Sequence, residues 1–368
     1  MSAARPQPPD LGDLLAATPK ERRERVLEAC RALGFAHVGI CLARPTDREA
    51  ELRDWIDGGR HGEMDWLSER IDAMVDPQHV LPGVRTIICV ADRYQGGRDR
   101  IRETGPARGR IARYARGRDY HDVLRRRLDA LVEGIRRSCP GAEARGVVDT
   151  APLLEREHAA RSGLGLVGKH TLLIRPGEGS WLLLGELLTS LEIECDRPID
   201  REDPCGSCTR CIDACPTDAI EPFSVDASRC LAYTTIEHRE EIARPFFEPT
   251  GDWLFGCDIC QEVCPHNQPT RATHRLPVLE EYAPRRDGFD LLEVLGWTEE
   301  DRRSAFVTSA LKRAKLWMFK RNALICAGNV LRRRDDAELR SRLESIAVDP
   351  AEDPKVNRTA RAVLESLD

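Results

Sequence analysis

The sequence predicts an α+β chain in three parts, and three observations carry that prediction. Helix and strand signals mix without strict βαβ repetition over residues 12–195. Eight cysteines crowd into residues 196–268, where apolar periodicity is weak. From 269 to 368 apolar residues recur at three- and four-residue spacing, the mark of amphipathic helices. A chain of 368 residues has room for about two or three domains, each able to bury a core.

The first ten residues are expected to be disordered. Thr18-Pro19-Lys20-Glu21 has the form of a capping box with proline at the first helical position, so a helix should run to about Leu33 and stop at Gly34. His37 to Leu42 alternates like a strand, and Thr86 to Ala91 is a short apolar run suited to a buried one. A long helix from about Tyr120 to Ser138 precedes a strand, Gly146 to Asp149, and a helix, Pro152 to Ser162. Thr171 to Ile174 and Trp181 to Leu188 read as a hairpin around Pro176-Gly177-Glu178-Gly179. Beyond Gln268 the chain is read as helical, with helices at Ser309–Cys326, Asp336–Ile346 and Lys355–Leu367. Short helices in series make a HEAT-like cap the expected form of this end, although no internal repeat is visible.

The cysteines carry the strongest chemical signal. Cys205-x-x-Cys208-x-x-Cys211-x-x-x-Cys215-Pro216 is the run that bacterial ferredoxins use, in which the fourth cysteine ligates the other cluster of a pair. Cys257-x-x-Cys260-x-x-x-Cys264-Pro265 is one ligand short, and Cys230 makes up the count. Two 4Fe–4S clusters then use all eight residues. By the crossed ferredoxin arrangement, Cys205, Cys208, Cys211 and Cys264 hold one cluster, and Cys215, Cys230, Cys257 and Cys260 the other. Structural zinc fits less well, because it takes two pairs separated by a longer loop. Cys30, Cys41, Cys89, Cys139, Cys195 and Cys326 lie mostly in apolar stretches and read as small core residues.

Net charge is −6, so no global attraction to polyanions is expected. Local charge differs. Eleven arginines face four acids between Arg98 and Arg127, and ten lysines or arginines face four acids between Lys312 and Glu344. Such stretches fit a nucleic-acid face or anion pockets, or else a solvated surface. MSAARPQPPD has no apolar core, and no run approaches the ~20 apolar residues of a membrane span. With oxygen-sensitive clusters and free thiols, a cytoplasmic location is expected.

Ser162-Gly163-Leu164-Gly165-Leu166-Val167-Gly168-Lys169-His170-Thr171 puts three glycines and a lysine between a helix and a strand. Its backbone N–H groups and Lys169 suit a flat or anionic ligand; the other reading is a tight connection. Asp149 is either a general acid at a pocket rim or, like Thr150, a helix N-cap. His121 lies in Asp119-Tyr120-His121-Asp122-Val123-Leu124, which resembles a cobalt-binding Asp-x-His-x-x-Gly signature but has leucine where glycine is required, so it is rejected as a cobalt ligand. Glu237 and His238 read as a surface pair.

These segments together resemble the epoxyqueuosine reductase family. The similarity rests on His61-Gly62-Glu63-Met64-Asp65-Trp66, Tyr114-Ala115-Arg116-Gly117-Arg118-Asp119-Tyr120-His121, Val148-Asp149-Thr150-Ala151-Pro152, and Gly163 to Ile174. It continues through Gly179-Ser180-Trp181, Leu184-Gly185-Glu186, the cysteine region, Arg321-Asn322 and Ala327-Gly328-Asn329. The resemblance implies a cobalamin in the N-terminal domain, base-off and with no protein ligand on cobalt, beside a cluster. It implies Asp149 as proton donor and Lys169, Thr171 and Ser180 as cobalamin contacts. Leu166, Ala232 and Arg116 depart from residues common in the family.

What the resemblance implies chemically is reduction of epoxyqueuosine to queuosine at the wobble position of tRNA. Electrons pass through the clusters to cobalamin, and Asp149 protonates the epoxide oxygen. The partners implied are the tRNA anticodon loop, with its base splayed out, and an electron donor such as a flavodoxin or ferredoxin. A monomer is expected. Two other readings stand beside it: a reductive dehalogenase-like cobalamin enzyme, and a non-catalytic two-cluster electron carrier.

Overall fold

A computed structural model of the chain describes residues 6–94, 106–200, 203–268 and 278–367. Arg98, Arg100 and Arg102 of the basic stretch lie outside the described residues. The first helix, Pro19–Ala32, starts as its capping box dictates. The Thr18 hydroxyl accepts from the Glu21 amide at 3.3 Å, and the Glu21 carboxylate accepts from the Thr18 amide at 2.7 Å.

A four-stranded antiparallel sheet organises the front of the molecule, in the order His37–Leu42, Thr86–Arg93, Leu182–Thr189, Ala144–Val147. Every residue of Thr86–Arg93 is buried, which explains its unbroken apolar run. The pleat sends Ile40, Ile88 and Leu187 into a core beneath the long helix Tyr120–Ser138. It sends Cys41, Ile87, Cys89 and Leu188 to the opposite face, against Ala159 of the helix Glu155–Arg161. Gly146 is what lets the long helix approach: a Cβ there would lie 2.9 Å from the Leu128 Cβ. The result is a mixed α+β fold with helices on both faces of the sheet.

Three expectations for the front of the molecule need correction. Leu173–Ile174 does not pair with the strand after Gly179; it pairs with Leu166–Val167, while Leu182–Thr189 joins the main sheet. A single bridge, Arg175 to Gly179, closes the turn between them. Two strands flanking a turn need not pair when one is claimed by a larger buried sheet. The strand expected at Gly146–Asp149 is Ala144–Val147, because Val147 is the last residue with a partner, Glu186. The helix expected from Pro152 begins at Glu155, after Ala151 and Leu153 have turned their amides onto Val148 and Ala151.

A second sheet joins distant parts of the chain. Arg108–Ile111 lies between Trp253–Phe255, which runs parallel to it, and Gly288–Asp290, which runs antiparallel. The strand Gly288–Asp290 corrects the all-helical reading beyond Gln268; three residues are too short for any period to register. The expected Ser309–Cys326 helix is a short 3₁₀ turn, Ala310–Arg313, followed by Leu316–Leu331. Helices Ala337–Val348 and Pro354–Glu365 complete this end. Met318 through Asn329 are all buried, including Arg321 and Asn322. Arg321 donates to the carbonyls of Thr234 (2.7 Å) and His238 (2.9 Å), and Asn322 to those of Thr235 (2.9 Å) and Leu254 (2.8 Å). The helix Leu316–Leu331 is thereby bolted to the segment that follows Cys230. Among the described residues no helix is long and apolar enough to cross a membrane.

Candidate active site

The eight spaced cysteines sit on loops and single helical turns, such as Arg210–Asp213 and Ile259–Glu262. Cys211 and Cys264 are buried and the other six half-buried. Burial raises the Cys211 thiol, and the charges of Cys205 and Cys264 add to it. Burial likewise raises Cys264, with Cys205 and Cys208 adding. A second set is separate: burial raises Cys230 and Cys257, with Cys215 acting on both and Cys230 on Cys257. Cys260 is raised by burial, then by Cys257 and Cys230, and only more weakly by Cys211 across the divide. The charge interactions thus fall mainly within Cys205, Cys208, Cys211 and Cys264 and within Cys215, Cys230, Cys257 and Cys260, with Cys211 also acting on Cys260.

The raised thiols of Cys211, Cys230, Cys257, Cys260 and Cys264 resist losing protons until cationic centres balance them, which is what iron would supply. Backbone amides already aim at several sulfurs: Lys169 N lies 3.4 Å from Cys205 Sγ, and Ala219 N lies 3.3 Å from Cys215 Sγ. Among the described residues no three His, Cys, Asp or Glu side chains converge on the position of one metal ion. A 4Fe–4S cubane does not ask for that, since each of its irons takes its own thiolate. Of the other cysteines, Cys30, Cys41, Cys89, Cys139 and Cys326 are buried as expected, and Cys195 is half-buried.

Lys169 and Ser180 sit at the seam between the front sheet and the cysteine loops. The Lys169 ammonium donates to the carbonyls of Gly206 (2.6 Å) and Cys208 (3.1 Å). The buried Ser180 hydroxyl donates to Gln261 Oε1 at 3.0 Å and accepts from Asn267 Nδ2 at 2.9 Å. Thr171 is half-buried with φ 66°, a left-handed conformation, and Arg156 donates to its carbonyl at 2.9 Å. The glycines of this loop serve close packing: a Cβ on Gly163 or Gly165 would lie 2.6 Å from the carbonyl oxygens of Arg197 or Ile174. Leu166 is buried in the short hairpin, and Arg116 is buried while donating to the Ile111 carbonyl at 2.9 and 3.0 Å. Ala232 lies in the first turn after Cys230.

Asp149 lies in the turn beyond its strand. Neither it nor Thr150 caps a helix, because the Glu155 helix has Leu154 at its N-cap and no side-chain cap bond. Instead the Asp149 carboxylate, 35% exposed, is held from two sides. Tyr120 donates its hydroxyl to Oδ2, and His121 Nε2 stands 2.9 Å from Oδ1. The other His121 nitrogen, Nδ1, stands 2.7 Å from Asp119 Oδ1, whose carboxylate faces Lys312 at 3.7 Å. The Tyr120 and His121 rings stack with centroids 4.0 Å apart. Burial works against protonation of His121, but the two flanking carboxylates outweigh it and bring the imidazole up to about 9. Nearby, burial and then the charge of Asp149 push Glu155 up to about 8.

The interaction of His121 with Asp149 is what the sequence reading missed, having weighed this histidine only as a metal ligand. Its signal was present in Asp119-Tyr120-His121 at a helix start, where Asp119 is the N-cap, but the partner across the fold was not legible. Glu237 and His238 do not pair with each other: Glu237 meets Arg313 at 2.7 Å, and His238 meets Glu63 at 3.1 Å.

Residues 75–150 match the family model "Epoxyqueuosine reductase QueG, DUF1730", and residues 204–267 match the "4Fe-4S double cluster binding domain". The chain is 42% identical to the epoxyqueuosine reductase of Gloeobacter violaceus, over 83% of this chain and 95% of that one. It is 38% identical to that of Escherichia coli, over 81% and 78%. A crystal structure of epoxyqueuosine reductase with an epoxyqueuosine-modified tRNA-Tyr stem loop superposes with a TM-score of 0.82, at 29% identity, over 94% of this chain and 89% of that one. The Streptococcus thermophilus enzyme superposes with a TM-score of 0.81 at 30% identity, over 94% and 90%.

Proposed function

The chain belongs to the epoxyqueuosine reductase family, and on that premise we propose that it reduces epoxyqueuosine to queuosine at the wobble position of tRNA. The observation that carries this reading is the partly exposed Asp149 carboxylate, clamped by Tyr120 and His121, in a chain whose residues 204–267 match a double 4Fe–4S cluster binding domain. In this assignment Cys205, Cys208, Cys211 and Cys264 hold one cluster, and Cys215, Cys230, Cys257 and Cys260 the other. Residues 12–195 bind cofactor and substrate, 196–268 carry the clusters, and 269–368 form a HEAT-like cap.

The residues of the front domain fit a cobalamin bound without a protein ligand on cobalt. Both nitrogens of His121 are engaged by Asp119 and Asp149, so this imidazole has no lone pair to offer a metal. Among the described residues the buried ring nitrogens His170 Nε2 and Trp181 Nε1, on either side of Thr171 and Ser180, have no hydrogen-bond partner and are open to an acceptor on the cofactor. Thr171 and the peptide groups around Lys169 and Ser180 would hold the corrin. When bound, cobalamin would supply one-electron and nucleophilic cobalt chemistry for opening the epoxide.

The chain's own residues do the rest. Lys169 and Ser180 fix the cluster loops against the front sheet, which keeps the electron path short. Asp149 lies at the surface of the site and donates a proton to the epoxide oxygen as its bond to carbon breaks. The modified base reaches the site splayed from its stack, and cationic side chains such as Lys312 and Arg313 grip the phosphates. The electrons come from a flavodoxin or ferredoxin, and the enzyme works as a cytoplasmic monomer. Anaerobic incubation with epoxyqueuosine-containing tRNA, cobalamin and reductant, followed by nucleoside mass analysis, tests the reading. Queuosine is the expected product, and unchanged epoxyqueuosine overturns it.

A further inference from the structure

Removing the epoxide oxygen demands more protons than Asp149 carries. Two electrons and two protons convert the epoxide to an alkene and one water: both carbon–oxygen bonds break, the carbon–carbon double bond forms, and the oxygen leaves with both protons. The electrons arrive through the clusters from the donor protein. A single carboxylic acid delivers one proton and must be refilled, or bypassed, before the oxygen can leave as water.

Resting on the reaction assigned above, we propose that His121 is a positioning residue that orients Asp149 and refills it with the second proton of each turnover. The contacts run in line. Asp119 Oδ1 lies 2.7 Å from His121 Nδ1, and His121 Nε2 lies 2.9 Å from Asp149 Oδ1. Tyr120 occupies the other Asp149 oxygen and stacks on the imidazole, so ring and carboxylate are held in register. The outer end of the line is wet: the Lys312 side chain facing Asp119 is 52% exposed and His121 itself 26%.

The charged groups around His121 favour its imidazolium. Asp119 comes from its own helix start and Asp149 from the turn after the Ala144–Val147 strand. Lys312 is the opposing cation, from the Ala310–Arg313 turn, and it faces the far oxygen of Asp119 rather than the ring. Arg313, from the same turn, is bound to Glu237 at 2.7 Å. Arg125, one helical turn on, reaches Thr150 Oγ1 at 3.5 Å. The net effect holds His121 protonated to about 9, which makes it a proton source across the neutral range.

The test uses cluster-loaded, cobalamin-loaded protein with epoxyqueuosine tRNA. His121→Gln keeps a hydrogen-bond donor toward Asp149 but has no proton to give. Its turnover should fall by about 10²-fold at pH 8 and recover in part with added imidazole, while tRNA affinity and iron content stay at wild-type levels. A wild-type pH–rate profile for this variant, or an equal loss at every pH with no imidazole rescue, overturns the proposal. Nitrogen-15 NMR of the wild-type histidines, read without turnover, is the second measurement: a neutral His121 at pH 7 also overturns it. Should wild-type protein make no queuosine while His121 is cationic, the failure lies in the assigned reaction and not in the relay.

Discussion

Lys169 donates from its ammonium to the carbonyl oxygen of Gly206 at 2.6 Å, tying the glycine-rich loop of the front domain to the first cysteine loop. The same ammonium reaches the Cys208 carbonyl at 3.1 Å, and the Lys169 amide points at Cys205 Sγ. One residue therefore organises the peptide groups around three positions of the first cysteine run. Lys169→Met keeps the length of the stem and removes the charge. The cost should be about 2–3 kcal/mol, because two carbonyls lose a charged donor. Thermal unfolding of the anaerobic holoprotein should show it, together with faster loss of iron on air exposure; an unchanged melting temperature and iron lifetime would remove this role.

Asp149→Asn keeps the shape of the side chain and one acceptor, so its oxygen still takes the bond from His121 while its NH2 turns to Tyr120, whose hydroxyl can accept. The variant should bind tRNA and carry both clusters normally but turn over about 10²–10⁴-fold more slowly. Single-turnover assays with nucleoside mass analysis check this. Wild-type rates would reduce Asp149 to a structural turn residue.

The proposed crossed cysteine sets make an unusual demand on single substitutions. Cys264→Ser, in the second run, should disturb the cluster held mainly by the first run, whereas Cys230→Ser should disturb the other. Electron paramagnetic resonance of each reduced variant should show one intact 4Fe–4S signal and one altered, a different one in each case. Loss of the same signal in both variants would mean the sets are drawn wrongly.

His121 also ties stability to pH. Its folded-state pKa lies above the unfolded value, from 6.5 up to about 9. The stabilisation is therefore fully present below about pH 6.5 and drains away as pH rises through about 9. Melting temperatures measured from pH 6 to 10 should fall across that window in the wild type, and fall less in His121→Gln. Parallel curves would show that the two flanking carboxylates do not hold the proton.

Binding of tRNA should weaken steeply with salt, because phosphate contacts release counterions. Raising monovalent salt from 50 to 200 mM should cost at least about tenfold in affinity, measured by filter binding. Lys312→Gln should lower the slope; equal affinity at both salt concentrations would take the cationic face out of the reading.

Local chemistry was legible in the sequence wherever the cause lies within a few residues. The Thr18–Glu21 capping box, the long amphipathic helix Tyr120–Ser138 and the buried strand from Thr86 each follow from neighbouring side chains. The cysteine spacings likewise announce two clusters, because a loop with two-residue gaps turns its thiolates toward one centre.

Pairing across the chain was decided only by the tertiary structure. Leu182–Thr189 left its expected hairpin partner because the central sheet offered it a full-length neighbour in Thr86–Arg93, a second in Ala144–Val147, and deeper burial. The three-residue strand Gly288–Asp290 exists only because Arg108–Ile111 is there to receive it. The acid–base line from Asp119 through His121 to Asp149 depends on a helix start and a turn meeting in space. Residue type and spacing set what each segment can do; which segments meet depends on the burial that the whole fold gains, and no window of sequence contains that sum.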